Sequence, residues 1–62
     1  MDISQDNLGK FGDDFYEVLT LAHKELSTEE SARLNIRLVL MMANAIGDIE
    51  TIKSIIAQAR AT

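Results

Sequence analysis

The chain has 62 residues, a formal net charge of −4 and no cysteine. This length allows one small domain, which buries only about 60% of the surface that its unfolded form exposes. The missing cysteines exclude disulfides and thiol chemistry, and a single histidine disfavours a structural zinc site, which needs four ligands. Association with another chain is the remaining way to support so small a fold.

The charge balance and the hydropathy pattern bear on partners and location. Ten acidic residues against six basic ones argue against a partner with a phosphate backbone. The apolar run 38–43 is too short for a bilayer, which takes about 20 residues. The acidic segment 1–10 lacks the apolar region of a signal peptide. We therefore expect a cytoplasmic protein that binds neither nucleic acid nor membrane.

Glycine and proline usage favours helices joined by tight turns, since the chain has no proline and only three glycines. Two of these glycines fall in the polar segment 1–12, which we interpret as a loose N-terminal arm. Residues 13–62 then form an all-α domain of three short helices. The first spans about 14–26, with Asp14 as N-cap and Glu17 at N3. Its apolar stripe comprises Phe15, Val18, Leu19, Ala22 and Leu26.

The second and third helices have clearer ends. Ser27 and Glu30 have the spacing of a capping box, which predicts a helix from about 28 to 46. Gly47 supplies a left-handed residue to end it, and Asp48 can cap a third helix over 49–61. The predicted core centres on Leu19, Leu38, Val39 and Ile52.

Helix two is apolar on nearly all sides. Arg33, Arg37 and Asn44 form one narrow polar stripe, and most of the other residues in its second half are apolar. Helices of this kind are buried, but two short neighbours cannot cover every side. We expect another chain to cover the rest. The alternative is that the arm folds back and covers helix two with Leu8 and Phe11.

Several polar residues have both a structural and a functional interpretation. Asn35 is either a structural amide or a partner contact. Arg33 and Arg37 pair locally with Glu29 or Glu30, or else with an acidic group of another chain.

Tyr16 and His23 share a flank of helix one and are residue types that can act as an acid–base pair. No nucleophile or metal cluster accompanies them, so we predict no catalytic residue. Tyr16 fits an interface anchor better. Of the adjacent Met41 and Met42, one is expected in the core and the other at an interface. The interface candidates are Tyr16, Arg33, Arg37, Met41, Met42 and Asn44.

Motifs spread over most of the chain resemble those of a small bacterial family known only as a domain of unknown function. They are the DDFYE start at 13–17, the AH and LS pairs at 22–23 and 26–27, and the core 34–48. Ala45 departs from the family, in which a histidine is common at that position. Members are similar to proteins encoded beside flavin-dependent aromatic hydroxylases. The resemblance therefore implies an accessory subunit, with a flavin-dependent oxygenase as one possible partner.

These observations predict a non-catalytic interaction subunit without a cofactor. It forms a homo-oligomer or docks on a larger bacterial enzyme. One alternative is a helix-turn-helix DNA-binding protein, suggested by the corner at Gly47. The charges of its recognition helix are too mixed to seek phosphates, since the helix carries Asp48, Glu50, Lys53 and Arg60. Another alternative is a ligand carrier with a pocket formed between subunits.

Overall fold

Three α-helices and a short 3₁₀ turn make up most of the computed structural model, which describes residues 3–62. The 3₁₀ turn spans Gly9–Phe11, and the helices are α1 (Gly12–Ala22), α2 (Thr28–Ile46) and α3 (Ile49–Ala61). That part of the chain contains no strand. The predicted all-α fold with three short helices is confirmed.

Helix α1 begins without the predicted Asp14 cap. The 3₁₀ turn runs directly into it, and the Gly12 N–H donates to the Gly9 carbonyl. The preceding turn thus supplies backbone acceptors, and no side chain caps the helix. Asp13 and Asp14 lie in the first turn, where negative charge complements the helix dipole.

The end of α1 comes at Ala22, four residues before the predicted end. Glu25 has a φ of +66°, which breaks the helical path. The Lys24 N–H donates to the Leu21 carbonyl at 3.1 Å, and the Leu26 N–H donates to the His23 carbonyl at 3.2 Å. A left-handed conformation costs an L-residue about 1–2 kcal/mol and is usually given to glycine. Because glutamate occupies the position, the sequence carried no stop signal there.

Helix α2 begins at the predicted capping box, which is confirmed. The Glu30 N–H donates to Ser27 Oγ at 3.1 Å, and the Ser27 N–H donates to Glu30 Oε1 at 3.0 Å. The backbone hydrogen bond from Ser27 holds the pKa of Glu30 below its ordinary value, and the bond between their side chains adds to this.

The corner between α2 and α3 is made by Gly47 and Asp48. Gly47 has a φ of +70°, as predicted, and its N–H donates to the Ala43 carbonyl at 2.9 Å. Asp48 occupies the N-cap position of α3, where its carboxylate accepts from the Thr51 hydroxyl. This hydroxyl is the main reason that the pKa of Asp48 is lowered.

Packing between the helices is sparse. Helix α2 approaches α3, whereas no Cα atom of α1 comes within 8 Å of a Cα atom in α2 or α3. The radius of gyration is 13.1 Å, against about 10.6 Å expected for a compact domain of this length. Helices α2 and α3 therefore form a corner, and α1 stands apart from both of them, so the three helices do not form a closed bundle.

None of residues 3–62 is buried, so the predicted core does not form within one chain. Leu19, Leu38 and Ile52 are partly covered, while Val39 is exposed. The prediction failed because α1 does not lie on α2.

The alternative in which the arm covers helix two is also wrong. Leu8 and Phe11 are both exposed. At the start of the described chain, Ile3 lies instead beside α3, in a shallow depression that it shares with Glu50, Thr51 and Ser54.

The capping box yields a first prediction. Ser27→Ala removes the acceptor of the Glu30 N–H and should lower the free energy of unfolding by about 0.5–2 kcal/mol. Thermal unfolding at one fixed protein concentration measures this change. Ser54→Ala is the matched control, because that hydroxyl donates only to the Glu50 carbonyl within α3 and should leave the midpoint nearly unchanged. Equal losses in the two variants would show that the cap adds nothing.

The lowered pKa values of Glu30 and Asp48 yield a second prediction. A carboxyl whose pKa is lower in the folded state stabilises the fold above its unfolded pKa. That contribution is lost as the pH falls through the folded pKa. We expect the melting temperature to fall as the pH drops below about 4.5, the ordinary value for glutamate. Glu30→Gln keeps an acceptor that does not titrate, so its acid loss should be smaller. An identical acid profile would contradict the assignment.

Candidate functional site

The chain exposes more surface than a folded monomer of its mass. Its accessible surface is 5543 Å², whereas a globular monomer of 6.9 kDa exposes about 4,000 Å². The excess of about 1,500 Å² has the size of a substantial protein interface. Much of it is apolar, because large hydrophobic side chains on every helix are exposed. The candidate functional site is therefore a set of surfaces rather than a pocket.

One surface runs along α1 and the turn before it. Residues three and four apart on a helix share a face, and this spacing aligns four exposed apolar side chains. We call this surface the α1 stripe, and it comprises Leu8, Phe11, Phe15 and Val18. The backbones of α2 and α3 do not approach it. Tyr16 is exposed on a different side of α1.

A second surface is an open apolar groove where α2 and α3 converge. We call it the α2–α3 groove; its volume is about 280 Å³. No polar side chain contributes to its walls. The lining residues are Val39, Met42, Ala43, Ile46, Ile52, Ile55 and Ile56. Such a concave, water-exposed apolar surface is typical of a docking site for an apolar partner.

A third surface lies on the other side of α2 and mixes apolar and polar groups. We call it the α2 outer face, and its residues follow helical spacing. They are Arg33, Arg37, Leu40, Met41 and Asn44. All five are exposed, and the helical wheel places them more than about 90° from Val39. Four of the six predicted interface candidates thus lie together on one face.

The two arginines of the α2 outer face differ in their partners. Arg33 Nη1 lies 3.4 Å from Glu29 Oε1, which is the local i, i+4 pair expected from the sequence. Within residues 3–62, Arg37 makes no ion pair. A guanidinium without a partner favours contact with a carboxylate of another molecule.

The two methionines separate as expected from their adjacency, although neither is buried. Met42 lines the α2–α3 groove, and Met41 is exposed on the α2 outer face. The expectation that one of them is a core residue is wrong for the single chain, because α1 does not cover α2. The thioether side chain is adaptable, and this suits an interface.

His23 and Asn35 form a contact that sequence reasoning missed. His23 Nε2 lies 2.8 Å from Asn35 Oδ1, and His23 Nδ1 lies 2.8 Å from the Leu19 carbonyl oxygen. The Leu19 carbonyl can only accept a hydrogen bond, so Nδ1 is the donor to it. The two residues are twelve positions apart in the chain, and no local sequence pattern predicted their contact.

This contact joins the end of α1 to α2 and occupies both ring nitrogens of His23. Tyr16 makes no hydrogen bond to His23, so the acid–base pair considered from the sequence is not assembled. Asn35 has a structural role, because its side chain ties the segment 23–27, which we call the joint, to α2. In the described part of the chain, no group of three or more histidine, cysteine or acidic side chains is placed to hold a metal ion.

The described helices include none that is long and apolar enough to cross a membrane. The described chain is thus an all-α protein of three helices whose apolar faces stay exposed. It belongs to the family described as Protein of unknown function (DUF2783), and the match covers residues 3–61. This confirms the resemblance at the level of a family of unknown function, and the match carries no link to flavin-dependent hydroxylases. No curated protein and no solved structure matches the chain.

The joint yields a third prediction. Asn35→Ala removes the partner of His23 Nε2 and should cost about 0.5–1.5 kcal/mol of stability at a fixed protein concentration. Asn44→Ala is the matched control, since this exposed amide on the same helix makes no hydrogen bond within residues 3–62. A double-mutant cycle with His23→Ala should be clearly non-additive. Strict additivity would mean that the two side chains do not interact in solution.

Proposed function

We propose that this chain is a non-catalytic interaction subunit that docks on a larger bacterial enzyme and completes its fold through contacts with other chains. One observation carries the proposal: none of residues 3–62 is buried, although 47% of the residues are hydrophobic. A small helical chain in this condition gains stability from anything that binds its folded form. The proposal assigns it no catalytic step, cofactor or metal.

The α2 outer face is the proposed docking surface for the enzyme. Leu40 and Met41 provide exposed apolar anchors, while Arg37 and Asn44 provide groups that can hydrogen-bond to a partner. Buried apolar anchors surrounded by polar groups are the usual arrangement of a protein interface. The unpaired Arg37 would orient the partner and raise the rate of encounter with an acidic patch.

We propose a flavin-dependent oxygenase as the enzyme that receives this subunit. Support comes from the sequence resemblance to proteins encoded beside flavin-dependent aromatic hydroxylases. The proposed role is to cover an apolar region of the oxygenase.

The two alternatives have less support. In a helix-turn-helix protein, α3 would be the recognition helix. Lys53 of α3 lies 3.8 Å from the Glu50 carboxylate, and Asp48 adds a further negative charge at the start of this helix. A helix with this charge pattern is poorly suited to phosphates. A ligand carrier needs polar groups that orient a small molecule in its pocket. The walls of the α2–α3 groove contain no polar side chain.

The fourth prediction tests the proposed function. The tagged chain, used as bait in the bacterium that encodes it, should retain a flavin-dependent oxygenase in stoichiometric amounts. The activity or stability of the captured enzyme should change when the chain is removed. Met41→Lys, which places a charge on the α2 outer face, should reduce the recovery at least about tenfold.

Gln58→Lys is the control, because it adds the same charge at an exposed position on α3 and should leave recovery unchanged. Recovery of the chain alone at native abundance would overturn the proposal. So would equal retention of the enzyme by the Met41→Lys bait.

A further inference from the structure

The chain carries two apolar surfaces, one convex and one concave, that do not meet. The α1 stripe is a convex row of side chains that begins in the turn before α1 and continues on this helix of 11 residues, which is about 16 Å long. The α2–α3 groove is concave and lined by apolar side chains, which come from residues 39–46 of α2, about 11 Å of helix, and from residues 52–56 of α3. Apolar side chains on one face of a second helix can enter such a groove.

The joint between α1 and α2 keeps the two surfaces apart within one chain. Only residues 23–27 connect the helices, and backbone hydrogen bonds from Lys24 and Leu26 fix their path. The contact between His23 and Asn35 then ties the joint to α2. No Cα atom of α1 comes within 8 Å of a Cα atom in α2 or α3. A second copy of the chain, by contrast, can present its stripe without any change at the joint.

We propose that two copies of this chain form a dimer in which α1 of each copy docks into the α2–α3 groove of the other. The exchange is reciprocal, so a two-fold axis satisfies both stripes and both grooves at once and leaves none open for further copies. The inference deepens the proposed function, because it rests on the same need for a partner. It uses the side of α2 opposite to the outer face.

The area of exposed surface supports a second copy as the occupant. Each chain exposes about 1,500 Å² more than a compact monomer of its mass. Burial of most of this excess in two copies would remove on the order of 2,000–3,000 Å², which is the range of obligate homodimers. The chain has no cysteine, so no disulfide supports the monomer.

The fifth prediction tests the reciprocal dimer by analytical ultracentrifugation of the full chain. The wild type should dimerise with a Kd at or below micromolar. Val18→Asp in the stripe and Val39→Lys in the groove should each raise the Kd at least about 30-fold. Each has a matched control on another side of the same helix, Tyr16→Asp and Met41→Lys, which should dimerise like the wild type. The four side chains are similarly exposed in the single chain, at 65%, 61%, 71% and 71% in the order given.

A mixing experiment then tests reciprocity. A heterodimer of the Val18→Asp and Val39→Lys chains contains one intact stripe in one intact groove, while its second contact sets aspartate against lysine. Mixing the two weakened variants should therefore restore association to within about tenfold of the wild type. Circular dichroism at the same concentrations follows helix content. If either variant unfolds alone, mixing should restore its helices as well. The test therefore remains decisive even when a variant has a folding defect.

Three outcomes would overturn the inference. The first is a wild-type chain that stays monomeric at about 100 micromolar. The second is a pair of control variants that weaken the dimer as much as the test variants do. The third is a mixture that associates no better than either of its components alone. The enzyme interaction fails separately. Met41→Lys should abolish capture of the oxygenase and keep the dimer, so loss of one interaction without the other identifies the wrong proposal.

Discussion

An apolar helix face is removed from water only when it packs against another surface, and this chain has more apolar faces than it packs together. Hydrophobic stabilisation scales with the area removed from water, and α1 removes little because it meets neither α2 nor α3. The consequence is a chain with no buried residue between positions 3 and 62. Its helices are well defined locally, while the single chain gains little of the free energy that normally holds helices together.

The direction of α1 follows from a few contacts at the joint. Glu25 in the left-handed region turns the backbone away from the helix axis, and two backbone hydrogen bonds close the turn. The imidazole of His23 fastens the turn to Asn35 on α2. These contacts are polar and partly exposed, so each stabilises the joint only modestly. They nevertheless determine which apolar surfaces of one chain come together and which stay exposed.

Helix α2 is the centre of the proposed assembly because its two sides differ in chemistry. The side toward α3 is apolar and concave, which suits the α1 stripe of a second copy. The outer face combines Leu40 and Met41 with an unpaired Arg37, which suits a larger partner with a polar border. The polar stripe recognised from the sequence belongs to the outer face. In the proposed assembly, a helix that is apolar on nearly all sides meets two partners rather than one core.

The sequence by itself determined the features that depend on near neighbours. The three helices, the box formed by Ser27 and Glu30 and the left-handed Gly47 were predictable, because each rests on propensity or on hydrogen bonds a few residues apart. Helical spacing likewise placed Arg33, Arg37 and Asn44 on one side of α2. The same reasoning failed for α1, where a glutamate adopts a conformation typical of glycine.

Only the tertiary structure decided which faces meet. Whether Leu19 and Val39 lie in a core depends on the angle between α1 and α2. The contacts at the joint that accompany this angle include the one between His23 and Asn35, which are twelve residues apart. No periodic pattern encodes such a contact, because it arises from the path of the backbone through the joint. The sequence could show that the chain has too much apolar surface, while the structure divided that surface into a stripe, a groove and an outer face.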